Sequence, residues 1–224
     1  MAVIHQTVLK PDKMELLAAW LPSRPWYRGG AEGPEPVKAG GFRLDDPRGA
    51  VGIEFMMVND VSGLRPAAYL VPLAYRGAPL DGAAEEALIG VAEHGVLGRR
   101  WVYDALRDPV AVAQLVALLE GRTRAQHQDL SDTPDDELVL SRAEDAAPGA
   151  VDPAAAEATD DAEGTVLTFP HGAALRLHRA LRPAPGDAPA AAPEGTSRLT
   201  GVWTAGDDRR VRGLLAVLRT GPRP

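Results

Sequence analysis

The spacing of apolar and polar positions divides the chain into an apolar-rich front part, a polar acidic middle and a back part of alternating segments. In the front part, Ala2 to Val8 alternates and suits a first strand. Pro11 and Asp12 open a helix through about Trp20, with Met14, Leu17, Ala18 and Leu21 on one face, and Pro22 stops it. Proline and glycine between positions 25 and 36 make a loop. Val37 to Leu44 reads as a strand with a bulge at Gly40-Gly41. Val51 to Val58 (VGIEFMMV) is apolar enough to be central. Ala68 to Tyr75 is a third strand, which Pro72 pushes toward an edge or a bulge. Short turns between the three predict an antiparallel meander.

Further along, Ala83, Ala87, Leu88 and Val91 have helical spacing and predict a short helix over Gly82 to Val91. Arg99 to Tyr103 reads as a strand. Asp108-Pro109 has the form of an N-cap followed by proline at the first helical position. Val110, Ala113, Leu115, Val116, Leu118 and Leu119 give the helix that follows a broad apolar face, and Gly121 ends it. Val166 to Phe169 and Ala174 to Leu181 predict a hairpin around His171-Gly172. After a Pro/Ala linker over 183–195, Leu199 to Thr204 and Val211 to Leu218 predict a second, around Gly206-Asp207-Asp208. The expected fold class is α+β: a curved antiparallel sheet with two or three helices, plus a small C-terminal antiparallel β unit. The expected division is 1–128, 129–164 and 165–224.

Charge sharpens the middle boundary. The chain carries a net charge of −7, yet residues 129–163 alone hold twelve acidic groups and one arginine. With hardly a large apolar residue after Leu140, this stretch is expected to be an acidic linker, largely disordered from Glu144 to Gly164. The arginines of the back part are spread over strands without an aromatic-studded basic motif, so no nucleic-acid partner is expected. The absence of cysteine excludes disulfides and thiolate chemistry. No apolar run is long enough to span a membrane and the N-terminus has no leader pattern, so the expected location is the cytoplasm.

Candidate chemistry is thin. Neither a phosphate-cradling GxxxxGK motif nor a Rossmann glycine fingerprint occurs, and HExxH and GxSxG are absent. Glu93-His94 before Arg99-Arg100 could pair an acid/base with an anion clamp, but a helix-end histidine beside surface arginines is the plainer reading. His171 and His178 lack a third ligand, so no metal and no cofactor are expected. The weak ligand-binding candidates are Trp26, Tyr27, Arg28 and Trp101, because aromatics can stack on a sugar ring. Packing is the competing role. Trp101 in particular is expected to be buried, joining the sheet to Val112, Val116 and Leu119.

The order of these signals resembles the N-terminal cap of actinobacterial maltokinases. That family carries Leu-Pro-x-x-Arg-Trp-Phe/Tyr-x-Gly-Lys after its first helix. Here Leu21-Pro22-Ser23-Arg24-Pro25-Trp26-Tyr27-Arg28-Gly29-Gly30 inserts a proline before the tryptophan and puts glycine in place of lysine. The Val102-Tyr103-Asp104 segment and the Asp108-Pro109 helix also look like the cap, over about residues 1–125. The hairpin GTVLTFPHGAALRLHRALRP is similar to one in the kinase intermediate lobe, with Arg176 where an ATP-contacting lysine stands. Arginine is a poor replacement for a compact ammonium between phosphates. Kinases of this kind use a His-Gly-Asp catalytic loop. His171-Gly172 is followed by Ala173, which cannot orient an acceptor hydroxyl. Stand-alone caps of this kind are sometimes labelled 1,4-alpha-glucan branching proteins, although that activity needs a catalytic barrel. The resemblance therefore implies a non-catalytic interaction or regulatory protein of α-glucan, maltose or trehalose metabolism, with a protein partner. The alternative is a carbohydrate- or small-ligand-binding protein using the concave sheet and its aromatics.

Overall fold

The computed structural model describes residues 8–30, 32–142, 151–184 and 195–220. All of the expected strand at Ala2 to Val8 except Val8 itself, and most of the Pro/Ala linker, lie outside them. Among the described residues the front part forms a seven-stranded, strongly curled antiparallel sheet in the order β1-β5-β6-β4-β3-β2-β7. Its strands are β1 (Leu9–Lys10), β2 (Pro36–Asp45), β3 (Val51–Asp60), β4 (Ala67–Arg76), β5 (Leu88–His94), β6 (Gly98–Asp104) and β7 (Gln126–His127). The meander β2-β3-β4 is present, and the bulge falls between Lys38 and Gly40.

Two expectations change within the first sheet. Gly82 to Val91 is a 3₁₀ turn (Glu85–Ala87) followed by strand β5. Helical spacing there loses to pairing, because β5 bonds to both β1 and β6. Pro72 lies in a central strand rather than at an edge. Leu70 N donates to Arg179 O at 2.8 Å, so even-numbered amides of β4 face that side. The pairing with β6 begins only at Leu73. Pro72, which has no amide proton, thus occupies the gap between two successive neighbours.

Helix α1 (Lys13–Trp20) starts with a capping box. Asp12 Oδ1 accepts from Glu15 N at 2.9 Å, and Glu15 Oε2 accepts from Asp12 N at 2.7 Å. It buries Leu16, Leu17 and Trp20, a face rotated from the expected one. Gly90 of β5 makes room for it, since a Cβ there would fall 2.6 Å from Leu16 Cδ2. Helix α2 (Pro109–Leu119) starts as expected. Asp108 Oδ1 accepts from Val110 N at 2.9 Å and Ala111 N at 3.2 Å, and Gly121, at φ +73°, follows its end. Arg76 grips the fully buried Asp108 at 2.5 and 2.9 Å.

The second sheet, six-stranded among the described residues, has the order β8-β12-β13-β11-β10-β9. Its strands are β8 (Val139–Arg142), β9 (Glu157–Asp160), β10 (Gly164–Thr168), β11 (Ala174–His178), β12 (Thr196–Thr204) and β13 (Arg210–Arg219). The expected hairpins are β10-β11 and β12-β13. The acidic stretch departs from the expected linker in its described parts. It supplies both outer strands, β8 and β9, and Val151 is buried; residues 143–150 lie outside the described residues.

Helix α2 lies between the sheets, against β2 and β3 on one side and β12 and β13 on the other. One core unites its apolar face with Phe55 and Ile53 of the first sheet and Leu199 and Trp203 of the second. The opposite face of the first sheet forms another core with α1, Leu21 and Trp26.

Candidate functional site

After α1 the chain makes a 3₁₀ turn (Leu21–Ser23) and delivers Trp26, Tyr27 and Arg28 to the surface of β3 and β4. Trp26 has no exposed surface. Its ring lies 5.8 Å from Trp20 and 5.9 Å from Tyr69, and Tyr27 lies 5.6 Å from Tyr69. Two hydrogen bonds fix the segment: Tyr27 Oη donates to Asp60 Oδ2 at 2.8 Å, and Arg28 N donates to Tyr69 Oη at 3.0 Å. Burial would raise the Asp60 carboxyl, but the amides of Glu35 and Ser62 and the Tyr27 hydroxyl hold it below the ordinary carboxylate value. Burial, and then the Asp60 charge, push the Tyr27 phenol up, so it stays protonated as a donor.

Two buried charges adjoin this cluster. Arg179 lies with its guanidinium carbon 5.3 Å from the Trp26 ring centroid. Its Nη2 donates to both oxygens of Asp104 at 2.6 and 2.7 Å, and its Nε donates to Thr165 Oγ1 at 2.9 Å. Asp104 ends β6 of the first sheet and Thr165 belongs to β10 of the second, so one side chain ties the two together. On the α1 side, Glu54 of β3 accepts from Lys13 Nζ at 2.7 Å, Tyr75 Oη at 2.8 Å and Gln128 Nε2 at 2.8 Å. Burial alone would raise this carboxyl; the Lys13 charge and the three donors outweigh it and hold the group low. Tyr75 is driven well up by burial and by Glu54.

Trp101 sits elsewhere. It is partly buried, not fully as expected, and its neighbours across the strands are Val91 and Arg76. It packs on the same core as α2, on β6, the third strand from the β1 end of the sheet. That flank carries exposed apolar side chains: Val8 (64 %), Val91 (38 %), Val96 (63 %) and Leu97 (44 %). Gly95 N donates to Val8 O at 3.1 Å, which holds Val8 against the β5-β6 turn. His94 and Glu93 do local work there. His94 Nδ1 accepts from Leu97 N at 3.0 Å, and Glu93 pairs with Arg99 at 2.8 Å. His171 occupies a turn at φ +65° and His178 the far end of β11. Arg176 pairs with Asp161 at 2.6 Å. Among the described residues no group of three or more His, Asp or Glu is placed to hold a metal ion.

Residues 20–108 match the maltokinase N-terminal cap domain. The match runs from the end of α1, through Trp26, Tyr27 and Arg28 and strands β2 to β6, to the cap of α2. No kinase-domain match accompanies it, and no curated protein matches the chain. The cap domain so defined contains Glu54, Asp60, Tyr69, Asp104 and all four sequence-selected aromatic and basic candidates. Three of those, Trp26, Tyr27 and Arg28, come together around Tyr69; Trp101 lies on the other flank of the cap domain. Glu54 is not among the sequence-selected candidates, although a carboxylate inside the apolar run VGIEFMMV must find donors if that strand is central. Arg179, outside the cap domain, gave no comparable signal. No helix among the described residues is long and apolar enough to cross a membrane.

Proposed function

We propose that the chain is a cytoplasmic, non-catalytic interaction protein of α-glucan, maltose or trehalose metabolism, its cap domain presenting the β1-β5-β6 flank to a protein partner. The supporting observation is the group of exposed apolar side chains Val8, Val91, Val96 and Leu97 on that flank. Several exposed apolar side chains along one end of a sheet favour an association surface. A non-catalytic role is supported by Ala173 in place of a loop carboxylate and by Arg176, which is engaged with Asp161. Sugar stacking has less support: Trp26 is fully covered, and Trp101 lies apart from Tyr27.

The test pairs two variants with the wild-type chain. Val96→Asp and Leu97→Asp lie on an exposed turn and should leave the melting temperature unchanged. Each should abolish co-purification of a glucan- or trehalose-metabolising enzyme identified by affinity capture and mass spectrometry. Capture of the same enzyme by both variants would overturn the proposed surface. Sugar phosphate formed from ATP, magnesium and maltose or glucosamine would overturn the non-catalytic reading.

A further inference from the structure

Where the sheets meet, residues 179–181 run beside the first half of β4. Leu70 N donates to Arg179 O and Leu181 N to Ala68 O, each at 2.8 Å. Next to this pairing is a pocket of about 220 Å³. The first sheet lines it with Asn59 and Tyr69, and the second part of the chain with Leu181 and Trp203; Arg28 and Arg182 add two cations. The space equals that of about seven waters at ~30 Å³ each, enough for a ligand of about ten non-hydrogen atoms.

The polar groups specify what would fit. Asn59 is only 5 % exposed. Its Nδ2 donates to Thr204 O at 2.9 Å, which fixes the amide's orientation. Its Oδ1 is buried and has no hydrogen-bond partner. A buried acceptor without a donor is costly, and a hydroxyl would satisfy it. Arg28 and Arg182 share one carboxylate, Glu163, at 2.6 and 3.0 Å, and Arg28 Nη2 also donates to Ala162 O at 3.1 Å. Two guanidiniums share this one carboxylate; Asp60, whose charge also reaches the pocket's Tyr69, is engaged by Tyr27 and by the amides of Glu35 and Ser62. Both ion pairs are largely exposed, so little is lost when they rearrange around an incoming anion. The guanidinium fork matches phosphate and carboxylate equally.

We propose that this seam pocket binds a small hydroxylated anion, its charged group held by Arg28 and Arg182 and a hydroxyl donating to Asn59 Oδ1. Such a ligand touches both sheets, so its binding also stabilises their association.

Calorimetric titration of the full chain with glycerol 3-phosphate and with glycerate tests this and distinguishes the two headgroups. The expected result is saturable one-site binding of at least one probe, with a melting temperature that rises with its concentration. Arg28→Ala and Arg182→Ala replace exposed side chains and should keep the fold, while each weakens binding about tenfold or more. Methyl phosphate has the charge without free hydroxyls, and glycerol has the hydroxyls without the charge. Each should bind at least about tenfold more weakly than the better probe. No saturable binding of either probe at millimolar concentration would overturn the proposal. So would undiminished binding by both arginine variants, which would put the anion elsewhere. Equal affinity for methyl phosphate would remove the role of Asn59, and equal affinity for glycerol that of the arginines; either result refutes the site as stated.

Discussion

Strand β3 and strand β12 meet their surroundings differently. In β3, eight consecutive residues from Ile53 to Asp60 are buried, because α1 and Trp26 cover one face of the first sheet while α2 and the second sheet cover the other. In β12 buried and half-buried residues alternate from end to end, because only the inner face of the second sheet meets the core. Across the outer face, Val166, Arg176 and Val217 stand opposite one another on adjacent strands. A doubly covered strand must satisfy any charge internally, and Glu54 does so with three donors. A singly covered sheet leaves its outward charges to solvent but depends on its inner face for attachment. The second sheet should therefore be held by a few inner anchors and tolerate change on its outer face.

The largest effect should come from the anchor itself. Trp203 is buried on the inner face, with its ring where Gly213 has no side chain. Trp203→Ala should cost about 5 kcal/mol in urea unfolding, from lost burial and a residual cavity. A cost under about 1 kcal/mol would show that the second sheet is not anchored there.

Arg179→Ala comes next, at about 3–4 kcal/mol, because it strands Asp104 without its countercharge. The double variant Arg179→Met/Asp104→Leu should recover most of that loss, since a buried pair can often be replaced by apolar groups at little net cost. If the double variant is worse than the single one, the pair contributes more than mutual neutralisation.

Glu54→Gln tests the doubly covered sheet at about 1–2 kcal/mol at neutral pH. Here the sign is fixed by the carboxyl lying below its ordinary 4.5 in the folded chain. On acidification the unfolded chain takes up the proton first. The stability contributed is whole above about pH 4.5 and falls as pH drops toward the folded value. The variant's stability curve should be flatter than wild type over that acid range. Parallel curves would mean that Lys13, Tyr75 and Gln128 do not stabilise the charged form. Smallest of all should be Val217→Thr on the outer face, within about 0.5 kcal/mol. A loss beyond 2 kcal/mol would show that face to be covered in solution.

Those elements whose cues are local could be read from the sequence. Asp108-Pro109 specified α2, and Gly206-Asp207-Asp208 specified the hairpin around it. Elements that exist through their neighbours could not. β5 has helical spacing and is a strand because two strands pair with it. β8 and β9 lie in an acidic stretch whose composition suits solvent, yet Leu140 pairs with Leu199 and Asp160 accepts a hydrogen bond from Thr165. The same holds for the candidate sites. Trp26, Tyr27 and Arg28 stand out in a proline- and glycine-rich loop. Asn59, Tyr69, Arg182 and Trp203 are unremarkable where they occur and become a group only when two sheets close on each other.

Pro72 has a consequence for how β4 resists pairing with a foreign strand. β4 is paired with β3 throughout but exchanges its other neighbour in mid-strand, from the 179–181 segment to β6, and at that exchange this one side faces no partner. An open stretch of backbone inside a sheet is a place where a foreign strand could add itself and seed aggregation. Proline presents no donor there, so an intruding chain could not complete the ladder. The residue that looks like a breaker in the sequence closes an opening that the curled sheet would otherwise leave to self-association.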